Sequence, residues 1–426
     1  MIEELKKRLY FLIAWYFRFF AQIRLSRWQP RIIVVTGSSG KTTLMHFIES
    51  QLRDVAKCSH HANSALGIPF DILGLERKTL TASEWPGLFL KAPFQAFSPA
   101  TTKKIYVAEC DCDRPGEGQF LAEFLKPEVT LWISLSRTHS ENFDDLVGEK
   151  KFETVEEAIA HEYGYFIRHS DKLVIISGDS QLIKNQAKRI HANVVEITEA
   201  NYLQQHTITS SGTEFIIGDQ NFSFNSLQPK EIFYAIAMTM ELCHYLQIQP
   251  DSSFKHLVVP TGRSSVYKGV KSTTLVDSSY NANLSSMIVI LKMFEQFQAE
   301  KKWVVLGDMK ELGKEAQEEH ERLAEIVSTI HLYKILLLGP LITKYTFPKV
   351  KELLRGSDNV IAFDTHGELL KFLEDNIQGE ETILFKASQS LVFDGFIQHL
   401  LLDPQDIPKL PRRELFWEGY RRERGL

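Results

Sequence analysis

The sequence predicts an α/β protein, because short runs of β-branched and other apolar residues alternate with amphipathic segments along most of the chain. This alternation is typical of a doubly wound, mainly parallel sheet with helices on its faces. A glycine-rich loop follows the first strand, and the alternation starts afresh near Pro260. We therefore predict a central domain, residues 31–258, and a C-terminal α/β domain, residues 259–426, after an N-terminal segment of residues 1–30.

Each predicted strand is a short apolar run, and each predicted helix has apolar residues at helical spacing. In chain order the strands are 32–35, 105–111, 129–135, 172–177, 275–277, 303–306, 335–338, 360–363 and 382–385, and the main helices include 154–168, 229–246 and 283–297. Ser83–Thr102 contains three prolines, which predicts an irregular excursion. Thr207–Phe224 has a period of two, which predicts antiparallel strands closing the central domain. The Pro- and Arg-rich tail from Asp403 is expected on the surface.

Composition excludes several functional classes. A net charge of −5 gives no basic excess, so we expect no nucleic-acid partner. Four cysteines in 426 residues indicate a reducing, cytoplasmic compartment rather than a disulfide scaffold. Cys110 and Cys112 lack a second pair at zinc spacing, so no zinc site is expected there.

The N-terminal segment, residues 1–30, is predicted to form a basic, aromatic, amphipathic helix. Its apolar run, Leu9–Phe20, is shorter than the roughly 20 residues that a membrane-spanning helix needs. Two accounts stay open. The helix lies at the inner face of a membrane as a peripheral contact, or it packs on the protein's own body or on a partner protein.

A phosphate-binding loop is predicted between the first strand and the first helix of the central domain. Glycines allow the tight turn and expose backbone N–H groups, and the N-terminus of the helix favours an anion. Lys41 is placed to reach the β- and γ-phosphates of a nucleotide, and the Thr42 hydroxyl to bind Mg²⁺. The predicted loop residues are Gly37, Ser38, Ser39, Gly40, Lys41, Thr42 and Thr43.

Polar residues follow other predicted strands, where ligands of parallel sheets bind. Glu109 is a candidate Mg²⁺ ligand, although a strand-end acid also serves as a helix cap. His139 alone is typical of a structural histidine, but its position at a strand end favours a functional role. In the C-terminal domain, Arg263 is a candidate phosphate ligand or an interdomain salt bridge. Asp277–Asn283 has the polar groups to bind a base and ribose, or to form a turn.

Several motifs together resemble the muramyl (Mur) ligase family, most closely its MurF branch, over about residues 31 to 400. Thr36–Thr43 resembles the phosphate loop of the family. The segment Glu109–Glu117 is similar to the branch pattern E-x-G-x-x-x-P-G-E. The other matching segments are Asn63–Pro69, Thr138–His139, Asp277–Met287, Val305–Gly313 followed by His320, and Lys386–Ser388.

The resemblance implies a central P-loop ATPase domain with a mainly parallel sheet and a C-terminal Rossmann-like domain. It implies an ATP-dependent amide ligase that acts through an acyl phosphate, with ATP and Mg²⁺ as cofactors. A muropeptide carboxylate and an amine, an amino acid or D-Ala-D-Ala, would be the substrates. Closure of the two domains is expected to assemble the site.

The resemblance also implies roles for individual residues. Lys41, Glu109, His139 and Arg263 would be catalytic, and Thr42, Glu109 and His139 would hold metal. Asn281 would contact adenine, and Asp277 the ribose or phosphates. The residues expected near the substrate are Asn63, Asp308, His320 and Lys386.

Three departures from the family pattern limit this transfer. Residues 1–30 do not resemble the family's N-terminal uridine-nucleotide domain. No lysine falls near Ala160–Gly164, where the family has a carbamylated lysine, so we hypothesise that Glu162 supplies a metal-binding carboxylate instead. Ser278, Leu284 and Ala387 replace an acid, a proline and a glycine. Two alternatives stay open: a ligase acting on a non-UDP or lipid-linked carboxylate, such as a polymer or cofactor, and a non-catalytic ATP-binding scaffold.

Overall fold

The computed structural model describes residues 2–60, 62–77, 81–99, 101–188, 190–209 and 212–426. Contacts divide the chain into two compact units, one comprising residues up to Tyr202 with Tyr234–Val258, the other Leu203–Phe233 with Val259–Leu426. The predicted α/β class with a mainly parallel first sheet is confirmed. Among the described residues we find no helix with the length and hydropathy needed to cross a bilayer.

The first unit is built on a six-stranded parallel sheet in the order β2-β3-β1-β4-β5-β6. Its strands are β1 (Arg31–Thr36), β2 (Ala56–Cys58), β3 (Ile105–Cys110), β4 (Val129–Trp132), β5 (Leu173–Ser177) and β6 (Asn193–Ile197). Its helices are α1 (Ile2–Trp28), α2 (Lys41–Leu52), α3 (Gly67–Leu73), α4 (Trp85–Phe97), α5 (Glu117–Leu125), α6 (Asp144–Gly148), α7 (Val155–Arg168), α8 (Gln181–Ala187) and α9 (Glu199–Tyr202). The chain enters this unit again within α10 (Ile232–Leu246).

The second unit contains two sheets. A three-stranded antiparallel sheet is formed by β7 (Leu203–Thr209), β8 (Gly212–Ile217) and β9 (Gln220–Phe224). A six-stranded sheet has the order β10-β11-β15-β12-β13-β14, in which only the pairing of β10 with β11 is antiparallel. Its strands are β10 (Ser265–Lys268), β11 (Thr274–Asp277), β12 (Lys301–Gly307), β13 (Lys334–Leu338), β14 (Val360–Phe363) and β15 (Glu381–Lys386). The helices are α11 (Leu284–Gln296), α12 (Ala316–Thr329), α13 (Phe347–Leu353), α14 (His366–Asn376), α15 (Asp394–Leu400) and α16 (Leu415–Arg422).

Two local expectations were wrong, the one for the proline-containing segment and the one for the tail. The segment predicted to be irregular contains α4. Pro86 lies in its first turn, where a missing N–H is tolerated, and Pro93 lies inside the helix, where the loss of one backbone hydrogen bond is accepted. The segment with a period of two forms antiparallel strands, as predicted. Contacts group these strands with the second unit, and Leu227 after them joins the apolar core of its main sheet. The tail is not simply a surface segment: Leu410 and the side chains of Arg412 and Arg421 are buried.

The N-terminal helix α1 packs on the first unit with one face. Ala14, Phe17 and Ala21 are fully buried in the core that also contains α3, α4 and α5. Arg18 donates to the Phe120 carbonyl, and Arg24 donates to the Leu73 and Gln95 carbonyls. One face of α1 therefore packs on the protein's own body, as the second of the two accounts predicts.

Candidate functional site at the phosphate loop

The glycine-rich loop joins the end of β1 to the start of α2, as its sequence predicts. Gly37 has φ +134°, and a Cβ there would lie 2.7 Å from the Ser134 carbonyl oxygen. Gly40 has φ +82° and immediately precedes α2. The loop needs glycine at both positions, because an L side chain would be strained at either φ and would also collide at Gly37. Ser38 Oγ donates to the Ser136 carbonyl at 2.8 Å, which holds the loop against the segment after β4.

Lys41 is buried and forms an ion pair that the sequence did not predict. Its Nζ lies 2.6 Å from Asp111 Oδ2 and donates to the Gly37 carbonyl at 2.6 Å. Burial works against both charges. However, their mutual attraction together with other neighbours, Glu109 for Lys41 and His139 for Asp111, outweighs burial, so that the pKa of Lys41 is raised and the pKa of Asp111 is lowered. Asp111 Oδ1 is fixed by the Tyr163 hydroxyl at 2.6 Å and the Cys112 N–H at 2.9 Å.

Oxygen ligands surround this ion pair. The Thr42 hydroxyl donates to Glu109 Oε1 at 3.0 Å, and the Glu109 N–H donates to Ser59 Oγ. Asp111, Asp113 and His139 have ligand atoms that all lie within 4.8 Å of one another. Carboxylate and hydroxyl oxygens with a single imidazole fit a hard divalent ion, so these residues are suited to Mg²⁺.

The sheet explains why these side chains meet. In the register of β1 with β3, Thr36 lies opposite Cys110, so the loop after Thr36 and the acids after Cys110 leave the sheet at the same edge. Sequence reasoning missed Asp111 and Asp113. The available signal was the alternation of acids at 109, 111 and 113 after a strand, with Asp111 at the glycine position of the quoted family pattern.

Glu162, the predicted replacement for the carbamylated lysine, lies elsewhere. Its Oε1 accepts from the Gly116 N–H at 2.9 Å, and its Oε2 from the Gly118 N–H at 3.1 Å, at the N-terminus of α5. A carboxylate there satisfies N–H groups that have no partner within the helix. The structure therefore does not bring Glu162 to the Asp111–Asp113–His139 cluster, and Asp111 is the carboxylate beside Lys41.

The turn that contains Asn63 adjoins the cluster through the backbone. The Asn63 carbonyl accepts from the Asp111 N–H at 2.8 Å. Glu117 is buried beneath this turn and accepts from the Ala65 N–H and the Tyr10 hydroxyl, each at 2.8 Å. Burial and the charge of Asp113 raise the pKa of Glu117 to about 7. The backbone of Asn63 thus lies beside the Asp111–Asp113–His139 cluster, and Tyr10 of α1 donates to Glu117, which supports the turn.

In the second unit, Arg263 and the loop after β11 lie together. The guanidinium of Arg263 stacks over Tyr280, 4.6 Å from the ring centroid, and the Tyr280 N–H donates to the Gly262 carbonyl. Asp277 is fully buried, and burial raises its pKa to about 6. Lys386 Nζ donates to the Asn281 carbonyl at 2.9 Å, and burial lowers the pKa of this lysine to about 7.

Arg412 supports this loop, and sequence reasoning missed it. Arg412 donates to the carbonyls of Ser279 and Tyr280 at 3.0 and 3.1 Å. Its Nε donates to the buried carboxylate of Asp394 at 2.8 Å. No local pattern identifies such a contact, because 133 residues separate Arg412 from Ser279.

The two remaining predicted substrate residues have partners within the second unit. Asp308 Oδ1 accepts from the N–H groups of Leu341 and Ile342 at 3.0 and 2.8 Å. His320 is buried beside Thr346, 3.1 Å from its hydroxyl, and burial lowers the histidine pKa to about 4. These bonds give both residues a structural role, and a contact with substrate stays a prediction.

Comparison of the chain with protein-family models and with known proteins gives matches to one family. Residues 35–237 match the Mur ligase middle domain, and residues 262–389 match the Mur ligase glutamate ligase domain. A Bacillus subtilis UDP-N-acetylmuramoyl-tripeptide–D-alanyl-D-alanine ligase is 24% identical over 395 residues, which cover 90% of this chain and 79% of the relative. The enzyme of the same name from Escherichia coli is 25% identical over 322 residues, covering 72% and 64%.

Solved structures show the same fold. MurF ligase from Thermotoga maritima in complex with ADP superposes with a TM-score of 0.73 at 20% identity, over 93% of this chain and 84% of that one. Folylpolyglutamate synthase from Mycobacterium tuberculosis superposes with a TM-score of 0.59 at 12% identity, over 90% and 94%.

Proposed function

Since this chain belongs to the Mur ligase family, we propose that it is an ATP-dependent, ADP-forming amide ligase of the MurF type. Its substrates would be a UDP-linked muramoyl tripeptide and D-alanyl-D-alanine, which the names of its relatives specify. The observation that carries this proposal is the phosphate-loop lysine beside carboxylates of a group whose side chains are suited to Mg²⁺. A phosphate and a carboxylate repel each other because both are negative. Positive charge from Lys41 and from a bound Mg²⁺ would reduce this repulsion.

In the proposed reaction, a carboxylate oxygen of the tripeptide attacks the γ-phosphorus of ATP, and the bond to ADP breaks. The amine of the dipeptide then attacks the acyl phosphate, loses a proton, and displaces inorganic phosphate. Lys41 would neutralise the phosphates. Thr42, Glu109 and the Asp111–Asp113–His139 cluster would hold Mg²⁺, which supplies charge neutralisation when bound.

Residues of the second unit complete the proposal. Arg263 would contribute a cation to the phosphates, and its stacking on Tyr280 supports this by holding the guanidinium in one place. Asn281 and Asp277 would contact adenine and ribose. Lys386 and Arg412 hold this loop by donating hydrogen bonds to its backbone carbonyls.

The test is a ligation assay with the full-length protein, ATP and Mg²⁺. We expect phosphate release only when the UDP-muramoyl tripeptide and D-Ala-D-Ala are both present, with a product mass equal to their sum less one water. Release with a lipid-linked or UDP-free carboxylate instead would favour the alternative substrate class. Nucleotide binding without any acceptor-dependent release would favour a scaffold and contradict the ligase.

We also propose a cytoplasmic location with peripheral membrane contact through α1. Beside the face packed on the protein, α1 carries apolar side chains that stay exposed, and so does α4, which packs against it. This α1–α4 apolar face consists of Leu9, Leu12, Trp15, Phe19, Leu90, Phe94 and Phe97, each more than half exposed. Its apolar side chains support insertion at the surface of a bilayer.

Vesicle sedimentation tests this contact. With vesicles of phosphatidylglycerol and phosphatidylcholine, we expect the full-length protein to sediment, and the double variant Leu12→Asp/Phe94→Asp to bind about 10-fold more weakly. Leu402→Asp is the matched control, because Leu402 is exposed to a similar degree in the second unit. Equal sedimentation of the double variant and the control would contradict the proposal.

A further inference from the structure

A second group of side chains of metal-ligating type lies at the helix that follows the phosphate loop, outside the site described above. His46 and Glu49 are three residues apart on α2, and His60 follows β2. The ligand atoms of these three side chains all lie within 4.8 Å of one another. We propose that His46, Glu49 and His60 bind a divalent transition-metal ion of the zinc class.

The carboxylate of Glu49 brings the two imidazoles together. Its Oε1 lies 2.9 Å from His60 Nε2, and its Oε2 lies 3.9 Å from His46 Nδ1. The ring centroids of the two histidines are 5.0 Å apart. One nitrogen of each ring therefore lies near the Glu49 carboxylate. The three side chains are partly exposed, between 18% and 40%, so solvent reaches the group.

The kinds of donor select the ion. Two imidazoles with one carboxylate are typical of zinc sites that keep an open position, whereas Mg²⁺ prefers oxygen ligands. Zinc bonds of about 2.1 Å place neighbouring ligand atoms about 3.4 Å apart. Small side-chain rotations reach that distance, because positions i and i+3 of a helix share a face. This donor set separates the site from the oxygen-rich Asp111–Asp113–His139 cluster.

A bound ion would link two segments that adjoin the candidate site at the phosphate loop. α2 begins at Lys41, and His60 directly follows Ser59, whose hydroxyl accepts from the Glu109 N–H at 2.8 Å. The ion would tie α2 to the segment that leads to Asn63. Metal binding here does not depend on the proposed ligase activity, and it can be measured without nucleotide.

The test is competition for Zn²⁺ with a chromophoric chelator, using the metal-stripped full-length protein in excess Mg²⁺. We expect one Zn²⁺ per chain. His46→Gln and His60→Gln should weaken binding by more than the roughly 10- to 100-fold that loss of an outer-shell partner costs. His256→Gln is the matched control, because His256 is exposed in the same unit and outside the group. Co²⁺ should give a visible absorption band in the wild type that His46→Gln lacks.

Thermal unfolding distinguishes a variant that has lost the metal site from one that fails to fold. Glu49→Gln keeps the size of a side chain that is 40% exposed and leaves one oxygen that can accept a hydrogen bond, so its midpoint without metal should stay close to that of the wild type. Zn²⁺ should raise the midpoint of the wild type and leave that of Glu49→Gln almost unchanged. Binding that is unaffected in both histidine variants would overturn the proposal. So would binding that is lost in His139→Gln and retained in His46→Gln, since the ion would then lie at the phosphate loop.

Discussion

Replacing Lys41 by methionine is expected to lower kcat for amide formation by about 1000-fold, the upper range for loss of one group that stabilises developing charge. The ammonium would neutralise the phosphates during transfer, and methionine keeps the length of the side chain without its charge. Phosphate release in the ligation assay measures the effect. Lys57→Met is the matched control, because Lys57 also pairs with an aspartate in the first unit, at 3.0 Å, but is partly exposed.

A double variant separates this electrostatic role from folding. Lys41→Met alone leaves Asp111 buried without its cation, which destabilises a protein by several kcal/mol. In Lys41→Met/Asp111→Asn both members of the ion pair are uncharged, and the introduced amide oxygen can still accept from the Tyr163 hydroxyl. We expect the double variant to regain the thermal midpoint but not the activity. Recovery of activity to within about 10-fold of the wild type would contradict the role of Lys41.

Replacing Asp394 by asparagine is expected to lower the free energy of unfolding of the second unit by about 3–5 kcal/mol. Asp394 is fully buried and binds three guanidinium groups, those of Arg412, Arg413 and Arg421. Asparagine removes the only charge that these bonds share and leaves buried cations without compensation. For a unit of this size the loss corresponds to about 10 °C in the thermal midpoint, which calorimetry measures.

An exposed ion pair provides the control for Asp394. Asp406 pairs with Lys409, whose side chain is 67% exposed, so Asp406→Asn should cost less than about 1 kcal/mol. Because Arg412 also holds the carbonyls of Ser279 and Tyr280, Asp394→Asn should raise the KM for ATP as well. A midpoint of Asp394→Asn within about 2 °C of the wild type would contradict the prediction, because the arginines would then be stable without the Asp394 charge.

The local features of the candidate site were predictable, because neighbouring residues determine them. A β-branched run, two glycines and a Lys-Thr pair specify the turn, the start of α2 and the position of Lys41. The roles of Glu109 and His139 could be suggested from strand ends, since parallel strands place their carboxyl ends along one edge.

Other features depend on which segments become neighbours. The ion pair of Lys41 with Asp111 requires β1 beside β3, and sequence spacing does not give strand order. Glu162 appeared suitable for metal because of its place in the chain, but α7 presents it to the N-terminus of α5. Ser83–Thr102 was predicted from its prolines to be irregular, yet packing against α1 stabilises a helix there.

The sequence by itself determined the α/β class, the phosphate loop and the family resemblance, because each rests on periodicity or on residues adjacent in the chain. Only the tertiary structure decided that Asp111 faces Lys41, that Glu162 caps α5, and that Asp394 binds the arginines of the tail. The reason is physical: the partner of a buried charge is chosen by packing across the fold, where desolvation makes an unpaired charge costly at any sequence separation.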